Sequence, residues 1–166
     1  MKPKLLFLTD HEADLAAQGK LTAIVRAFKP QPRIMKGFVY DMDSGGGVEY
    51  FQREPWHFDK RIPKPGDILA GKETWSPLRR EHSFRDDHYY YKADSTSDSE
   101  KYRKQYGYSW HSPILMPLSV VRHWFRVNSV RAMQAKDVPL AEYHLTDDTW
   151  LWCVELERRR RNENFY

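Results

Sequence analysis

Three stretches of this sequence place groups that can do chemistry at short spacing. The first is Gly19-Lys20-Leu21-Thr22-Ala23-Ile24-Val25-Arg26-Ala27-Phe28-Lys29-Pro30-Gln31-Pro32. A glycine followed by cations and a hydroxyl offers backbone donors and positive charge to an anion such as phosphate. The same residues also serve as a helix-to-strand connection that carries solvated cations. The second is Pro65-Gly66-Asp67-Ile68-Leu69-Ala70-Gly71-Lys72-Glu73-Thr74-Trp75. A carboxylate beside an aromatic at a strand end suits general acid/base work, acceptance from a base edge, or an ion pair to Lys72 or Arg26. The third joins Tyr89-Tyr90-Tyr91-Lys92-Ala93-Asp94 to Trp110-His111-Ser112-Pro113-Ile114-Leu115-Met116-Pro117. Successive tyrosines on a strand point to opposite faces, so one face can offer a ring for stacking while the other packs inward.

Other chemistries lack their residues. The seven histidines, at 11, 57, 82, 88, 111, 123 and 144, show neither the i, i+4 spacing nor the cysteine partner of a zinc site. No Gly-x-Ser-x-Gly elbow is present. Gly45-Gly46-Gly47 lacks the Gly-Lys-Ser/Thr ending of a phosphate loop and reads as a hairpin tip. The single cysteine, Cys153, rules out an intrachain disulfide, and its apolar surroundings point to a packed thiol. Neither a metal nor a cofactor is expected.

The elements that must position these groups follow from local patterns. Thr9-Asp10-His11-Glu12 has the spacing of a capping box, and Gly19 supplies a stop, so a short helix is predicted over Asp10 to Gln18. Strands are predicted over Thr22 to Phe28, on either side of the tip from Asp43 to Gly47, around Ile68-Leu69-Ala70, over His88 to Lys92, over Trp124 to Arg131 and over Thr149 to Leu156. In the Trp124 strand, Phe125 and Val127 share one face, and Arg126 and Asn128 the other. Pro63 to Asp67 is a turn, Ser76 to Asp87 and Ala93 to Glu100 are polar loops, and a helical turn lies near Leu118 to Arg122. Short strands with few short helices indicate an α+β fold built on a barrel or pseudo-barrel of about five to seven strands with two or three flanking helices. One domain over residues 1–157 and a polar, arginine-rich tail over 158–166 are expected.

Hydrophobic residues make up 40% of the 166 and charged residues 30%, which excludes a disordered chain. Six Trp, ten Tyr and eight Phe supply burial for a β-rich core, and rings for stacking. The net charge of +4 is unevenly spread: Lys20 to Lys36 holds five cations and no acid, whereas Asp137 to Asp148 holds acids and neither Lys nor Arg. A basic face suits an anionic partner. No apolar run reaches the length of a membrane span, and the N-terminal one is too short for a signal peptide, so cytoplasmic residence without membrane contact is expected.

Taken in order, these stretches resemble the ASCH domains of the PUA-like superfamily, in the versions common in bacteriophage and prophage genomes. The matching residues are Gly19, Thr22, Arg26, Lys29-Pro30-Gln31-Pro32, Gly66-Asp67-Ile68-Leu69, Glu73-Thr74-Trp75, Tyr91-Lys92-Ala93-Asp94, Trp110, Met116-Pro117 and the strand from Trp150 to Glu157. The resemblance implies a PUA-like barrel with a cleft for RNA or a nucleotide. Some similar family members hydrolyse an acetylated cytidine with a lysine, a threonine and a glutamate. Aligned on Lys29-Pro30-Gln31-Pro32, the motif lysine falls on Leu21 and the second threonine on Ile24, neither of which can move a proton. Glu73 alone of that trio is kept.

The expectation is a binding module for RNA or a nucleotide. Lys20 and Arg26 are assigned to phosphate and Glu73 to a base edge, with Trp75 or Trp110 for stacking. Thr22, Lys29, Lys72, Tyr91 and Arg126 complete the binding set. Lys20, Arg26 and Glu73 are expected to share one groove. Two alternatives stand beside it: a small hydrolase of a modified nucleoside or RNA using Glu73 as acid/base, and a factor that binds a host protein through Asp137 to Asp148 or Ala93 to Glu100.

Overall fold

The computed structural model describes residues 2–27, 33–35, 38–40, 62–77, 89–137 and 149–160. Its elements run β1 (Lys4–Phe7), α1 (Asp10–Ala17), β2 (Ala23–Ala27), β3 (Arg33–Met35), β4 (Phe38–Tyr40), β5 (Ile68–Lys72), β6 (Trp75–Pro77), β7 (Tyr89–Tyr91), α2 (Ser97–Gln105), β8 (His123–Gln134) and β9 (Trp150–Arg159). The fold is α+β. The hairpin tip at 43–47 with its second strand, the Lys29-Pro30-Gln31-Pro32 stretch, the loop over 78–87 and residues 138–148 of the acidic stretch lie outside the described residues.

Five strands hydrogen-bond in the order β1-β5-β8-β9-β2, and β3-β4 and β6-β7 form separate pairs. This corrects the expected barrel. Closure requires the first and last strands of the order to bond each other, and among the described residues β1 and β2 stand at the two edges of an open sheet. The sheet is mixed: β1 runs parallel to β5, with Phe7 beside Lys72, and β5 runs antiparallel to β8, with Gly71 beside His123.

The chain divides into two compact units, one of Met1–Thr22, Ile68–Arg126 and Glu157–Tyr166, the other of Ala23–Asp67 and Val127–Leu156. In the first, α1 forms as its sequence requires. Thr9 Oγ1 accepts from Glu12 N–H at 3.2 Å, and Glu12 Oε2 accepts from Thr9 N–H at 2.9 Å. This reciprocal pair satisfies two of the N–H groups a helix start leaves open. At the other end Gly19, at φ +72°, lets Lys20 N–H reach Leu15 O and Gly19 N–H reach Ala16 O, a Schellman stop.

The loop expected over Ala93 to Glu100 is instead a 3-10 turn, Lys92–Asp94, and the start of α2. Ser, Thr and Asp favour both loops and helix starts, because their side chains compete for backbone donors. Here Thr96 caps the N–H of Ser99, Asp98 and Glu100 occupy the first turn, and Arg103 and Lys104 the last, all favourable to the helix dipole. The predicted turn near Leu118 is present as a 3-10 turn, Leu118–Val120. The core of this unit is Ala70, Trp75, Met116, Val120, Val121 and Trp124, with Ile68, Tyr89 and Tyr91 packed against it.

In the second unit Trp150 and Trp152 of β9 pack with Ile62, Val130 and Ala132. The Pro63 to Asp67 turn closes through Asp67 N–H to Lys64 O and Lys64 N–H to Asp67 Oδ2, with Gly66 at φ +89°. Phe125 and Val127 are buried, and Arg126 and Asn128 exposed, as the alternation in β8 requires. The last strand runs past its expected end, through Arg158 to Arg159. Cys153 is half-buried on β9, and burial pushes its thiol up, away from a reactive thiolate. Among the described residues no helix is long and apolar enough to cross a membrane.

Candidate functional site

The polar centre of the first unit is built where three chain segments meet. β5 ends at Lys72, and the chain turns through Glu73 and Thr74 into β6. Thr74 O accepts from Lys92 N–H at 3.0 Å, which ties this turn to the end of β7. β6 pairs with β7 so that Trp75 lies beside Tyr91, and on the other side Trp75 exchanges two backbone bonds with His111. The β5–β8 ladder runs from Ile68 opposite Arg126 to Gly71 opposite His123. One residue past its end Arg122 falls beside Lys72, and so next to Glu73.

Glu73 is fully buried, and Arg122 meets it side-on. Arg122 Nε donates to Oε1 at 2.8 Å and Nη2 to Oε2 at 3.0 Å, the paired geometry in which a guanidinium binds a carboxylate best. His123 Nε2 stands 3.1 Å from Oε1 without the alignment of a hydrogen bond, and both nitrogens of this buried ring lack a hydrogen-bond partner. Burial works to raise the Glu73 carboxyl, but contact with His123 and the Arg122 guanidinium outweigh it and hold the group below the usual carboxylate range. Burial also works against the charge of Arg122, and the bonds to Glu73 and Asp94 overcome it.

Arg122 has two further contacts. Its guanidinium lies 4.0 Å from the ring centroid of Tyr91, whose hydroxyl donates to Val120 O at 2.8 Å. Its Nη1 donates to the carboxylate of Asp94, a residue half exposed to solvent. The cation is thus fixed on one edge by a buried acid and on one face by a ring, with an exposed acid on its outer edge. Beside it, Asp10 at the start of α1 accepts from Lys92 Nζ at 2.6 Å and from Thr74 Oγ1 at 3.1 Å. The Lys92 bond, against a little burial and with help from Thr74, holds Asp10 below its usual value.

Two of the expected site residues, Glu73 and Tyr91, meet here through Arg122. The ion-pair partner of Glu73 is Arg122 rather than Lys72. Lys72 is buried, donates to Ile114 O at 3.1 Å and lies over the Phe7 ring. Trp75 is core rather than a stacking platform, being flanked on both sides by backbone pairing and buried among Met116, Val121 and Trp124. Trp110 is half-buried, with the Arg103 guanidinium 4.8 Å from its ring. Lys20 and Thr22 are exposed, and Lys20 bonds its neighbour Gln18. Arg126 is exposed on β8. Arg26 belongs to the second unit, where its Nη1 donates to Val25 O at 2.8 Å. Lys29 lies outside the described residues.

Leu21 and Ile24, at the positions where the resemblance puts a lysine and a threonine, are both buried apolar side chains. They pack rather than react. Arg122 and Asp10 escaped the sequence reading altogether. A lone arginine before a strand carries no signal, and only the β5–β8 register reveals its partner. Among protein-family models, curated proteins and solved structures, none matches this chain.

Proposed function

We propose that the chain is a nucleic-acid or nucleotide-binding module, resembling the ASCH type, and that Arg122 is its phosphate contact. One observation carries the reading: Glu73 and Tyr91 hold the Arg122 guanidinium flat and oriented, and among the described residues its outer edge bonds the exposed carboxylate of Asp94. A phosphate oxygen offers the same acceptor geometry as a carboxylate. A nucleotide phosphate displaces Asp94 and takes its place. The pre-set orientation lowers the entropy lost on binding.

The cluster favours binding over hydrolysis. A general base needs a free lone pair within reach of its substrate. The Glu73 carboxylate is sealed from solvent and engaged on both oxygens, which suits it to positioning Arg122.

The test is fluorescence anisotropy with a labelled single nucleotide and a labelled 12-nucleotide single strand, as RNA and as DNA, over a salt series. Arg122→Lys keeps the charge but loses the fork, and weakens binding about tenfold. Asp94→Asn removes the competing anion from an exposed position and tightens binding several-fold. If the wild-type protein binds none of the probes at low salt, or if Asp94→Asn and Arg122→Lys both bind as wild type does, the proposal is wrong.

A further inference from the structure

The core of the first unit runs out to the surface at one edge. Leu5 stands beside Ala70 and Phe7 beside Lys72 in the β1–β5 ladder, so both point to the face on which Ala70 packs with Met116. Met116 is buried, but the two residues before it are not, because the 3-10 turn Pro113–Leu115 lifts Ile114 and Leu115 out of the core. Lys72 ties turn and strand together. Its Nζ donates to Ile114 O at 3.1 Å and lies 5.7 Å from the centroid of the Phe7 ring, and the residue itself is buried. Leu5, Phe7, Ile114 and Leu115 therefore share one apolar surface, with 49%, 44%, 64% and 64% of each exposed. Single exposed apolar residues are commonplace, whereas a contiguous group marks a contact surface.

This surface is rigid and uncharged. Ser112 Oγ accepts from Ile114 N–H, Leu115 N–H reaches Ser112 O, and Met116 N–H reaches Pro113 O. Pro113 and Pro117 fix the backbone on either side. From Gln105 to Val121, and again from Leu5 to Leu8, the sequence holds no Asp, Glu, Lys or Arg, in a chain that is 30% charged.

We propose that this surface is the contact between two copies of the chain related by a two-fold axis. The Ile114–Leu115 ridge of each copy lies on Leu5 and Phe7 of the other. Three observations select a second copy. A two-fold contact needs both halves of the fit on each partner, since residue i meets j and j meets i. Here a ridge and a flat strip stand side by side. The area also fits. The exposed fractions amount to roughly 400 Å² per copy, so a dimer buries roughly 800 Å² of apolar surface. That is the apolar share, about 65%, of an interface of about 1,200 Å², the lower bound of the standard size. Finally, a partner recognised by its charge finds none to pair with on the ridge, whereas depletion of charge is what the core of a homodimer interface shows. Lys72 does not oppose the contact, because its ammonium already lies between the Phe7 ring and Ile114 O. The contact leaves Arg122 out, so it stands or falls apart from nucleotide binding.

Sedimentation velocity from about 1 to about 200 μM tests the proposal, with near-UV circular dichroism to check the fold of each variant. The mass of wild type is expected to rise from the 19.9 kDa of one chain towards twice that value. Leu115→Glu on the ridge and Leu5→Glu on the strip each bury an unpaired charge in the dimer, and each moves association to a concentration at least about tenfold higher. Leu115→Met keeps the surface apolar and associates as wild type does. A wild type that stays at the mass of one chain throughout overturns the proposal; if it then floats with phosphatidylcholine vesicles, the surface belongs to lipid instead. Association left unchanged by either glutamate variant overturns it too, since the two copies would then meet through other residues.

Discussion

Glu73→Ala is the sharpest perturbation of this structure. Glu73 has no solvent contact, and its two oxygens take three contacts from Arg122 and His123. Removing the carboxylate leaves a guanidinium half-sunk in the protein with Asp94 alone. Breaking a buried pair by deleting one partner costs about 3–5 kcal/mol. Arg122 retains 27% side-chain exposure and can turn towards water, so the lower end applies, about 3 kcal/mol. Glu73→Gln keeps the shape and one acceptor oxygen but turns an amide N–H towards a donor, and is expected to cost about 2 kcal/mol. In urea, with a slope of about 2 kcal/mol/M, the midpoints fall by about 1.5 M and about 1 M.

The pH dependence separates charge from packing. The folded-state pKa of Glu73 is depressed, so its contribution is fully present above the unfolded carboxylate value, about 4.3, and is lost as pH falls through the lower folded value. Wild type should therefore lose stability on acidification below about pH 4.5, and Glu73→Gln should lose less over the same range. A double-mutant cycle with Arg122→Met isolates the pair, with an expected coupling of about 2 kcal/mol. A Glu73→Gln protein within about 0.5 kcal/mol of wild type, with an unchanged acid slope, would refute the account of Glu73 as the anchor of Arg122.

Two further substitutions test the scaffold around it. Thr9→Ala removes the oxygen that caps α1 and should cost about 1 kcal/mol by urea unfolding, while Thr9→Ser keeps the cap and most of the stability. Gly71→Ala puts a methyl 3.0 Å from Phe125 Cε2 and 3.2 Å from both His123 Cβ and Leu8 Cδ1, and should lower stability by about 1–3 kcal/mol; a stability equal to that of wild type would show that β5 and β8 are less tightly packed than described.

What the sequence made legible was local. The capping box of α1 and its glycine stop depend on residues three to five positions apart, and both are present where spacing put them. The buried alternation of Phe125 and Val127 follows from the period of a strand. α2 was misread for the same reason that α1 was read: Thr96 caps it, but the third position holds Ser99 rather than a glutamate, and the surrounding Ser and Asp residues suit a loop equally well.

The candidate site depends instead on a distance of 49 residues between Glu73 and Arg122, and on register. β5 is Ile-Leu-Ala-Gly-Lys, buried for four of its five residues, and β8 opens with His-Trp-Phe, all buried. β5 lacks the polar alternation that would fix which of its residues opposes which on β8, and the alternation of β8 begins only at Phe125, past most of their shared ladder. A slip of one residue would bring Val121 or His123 to the place of Arg122, and no local pattern forbids it. The same indeterminacy explains Glu73-Thr74-Trp75, three adjacent residues that the fold puts to three uses. Glu73 holds a guanidinium, Thr74 bonds Asp10 at the start of α1, and Trp75 fills the core. A motif can mark where such residues meet, but pairing between distant strands decides which of them a ligand can touch. That is why the guanidinium at the centre of the candidate site is an arginine outside the motif, held in place by a glutamate within it.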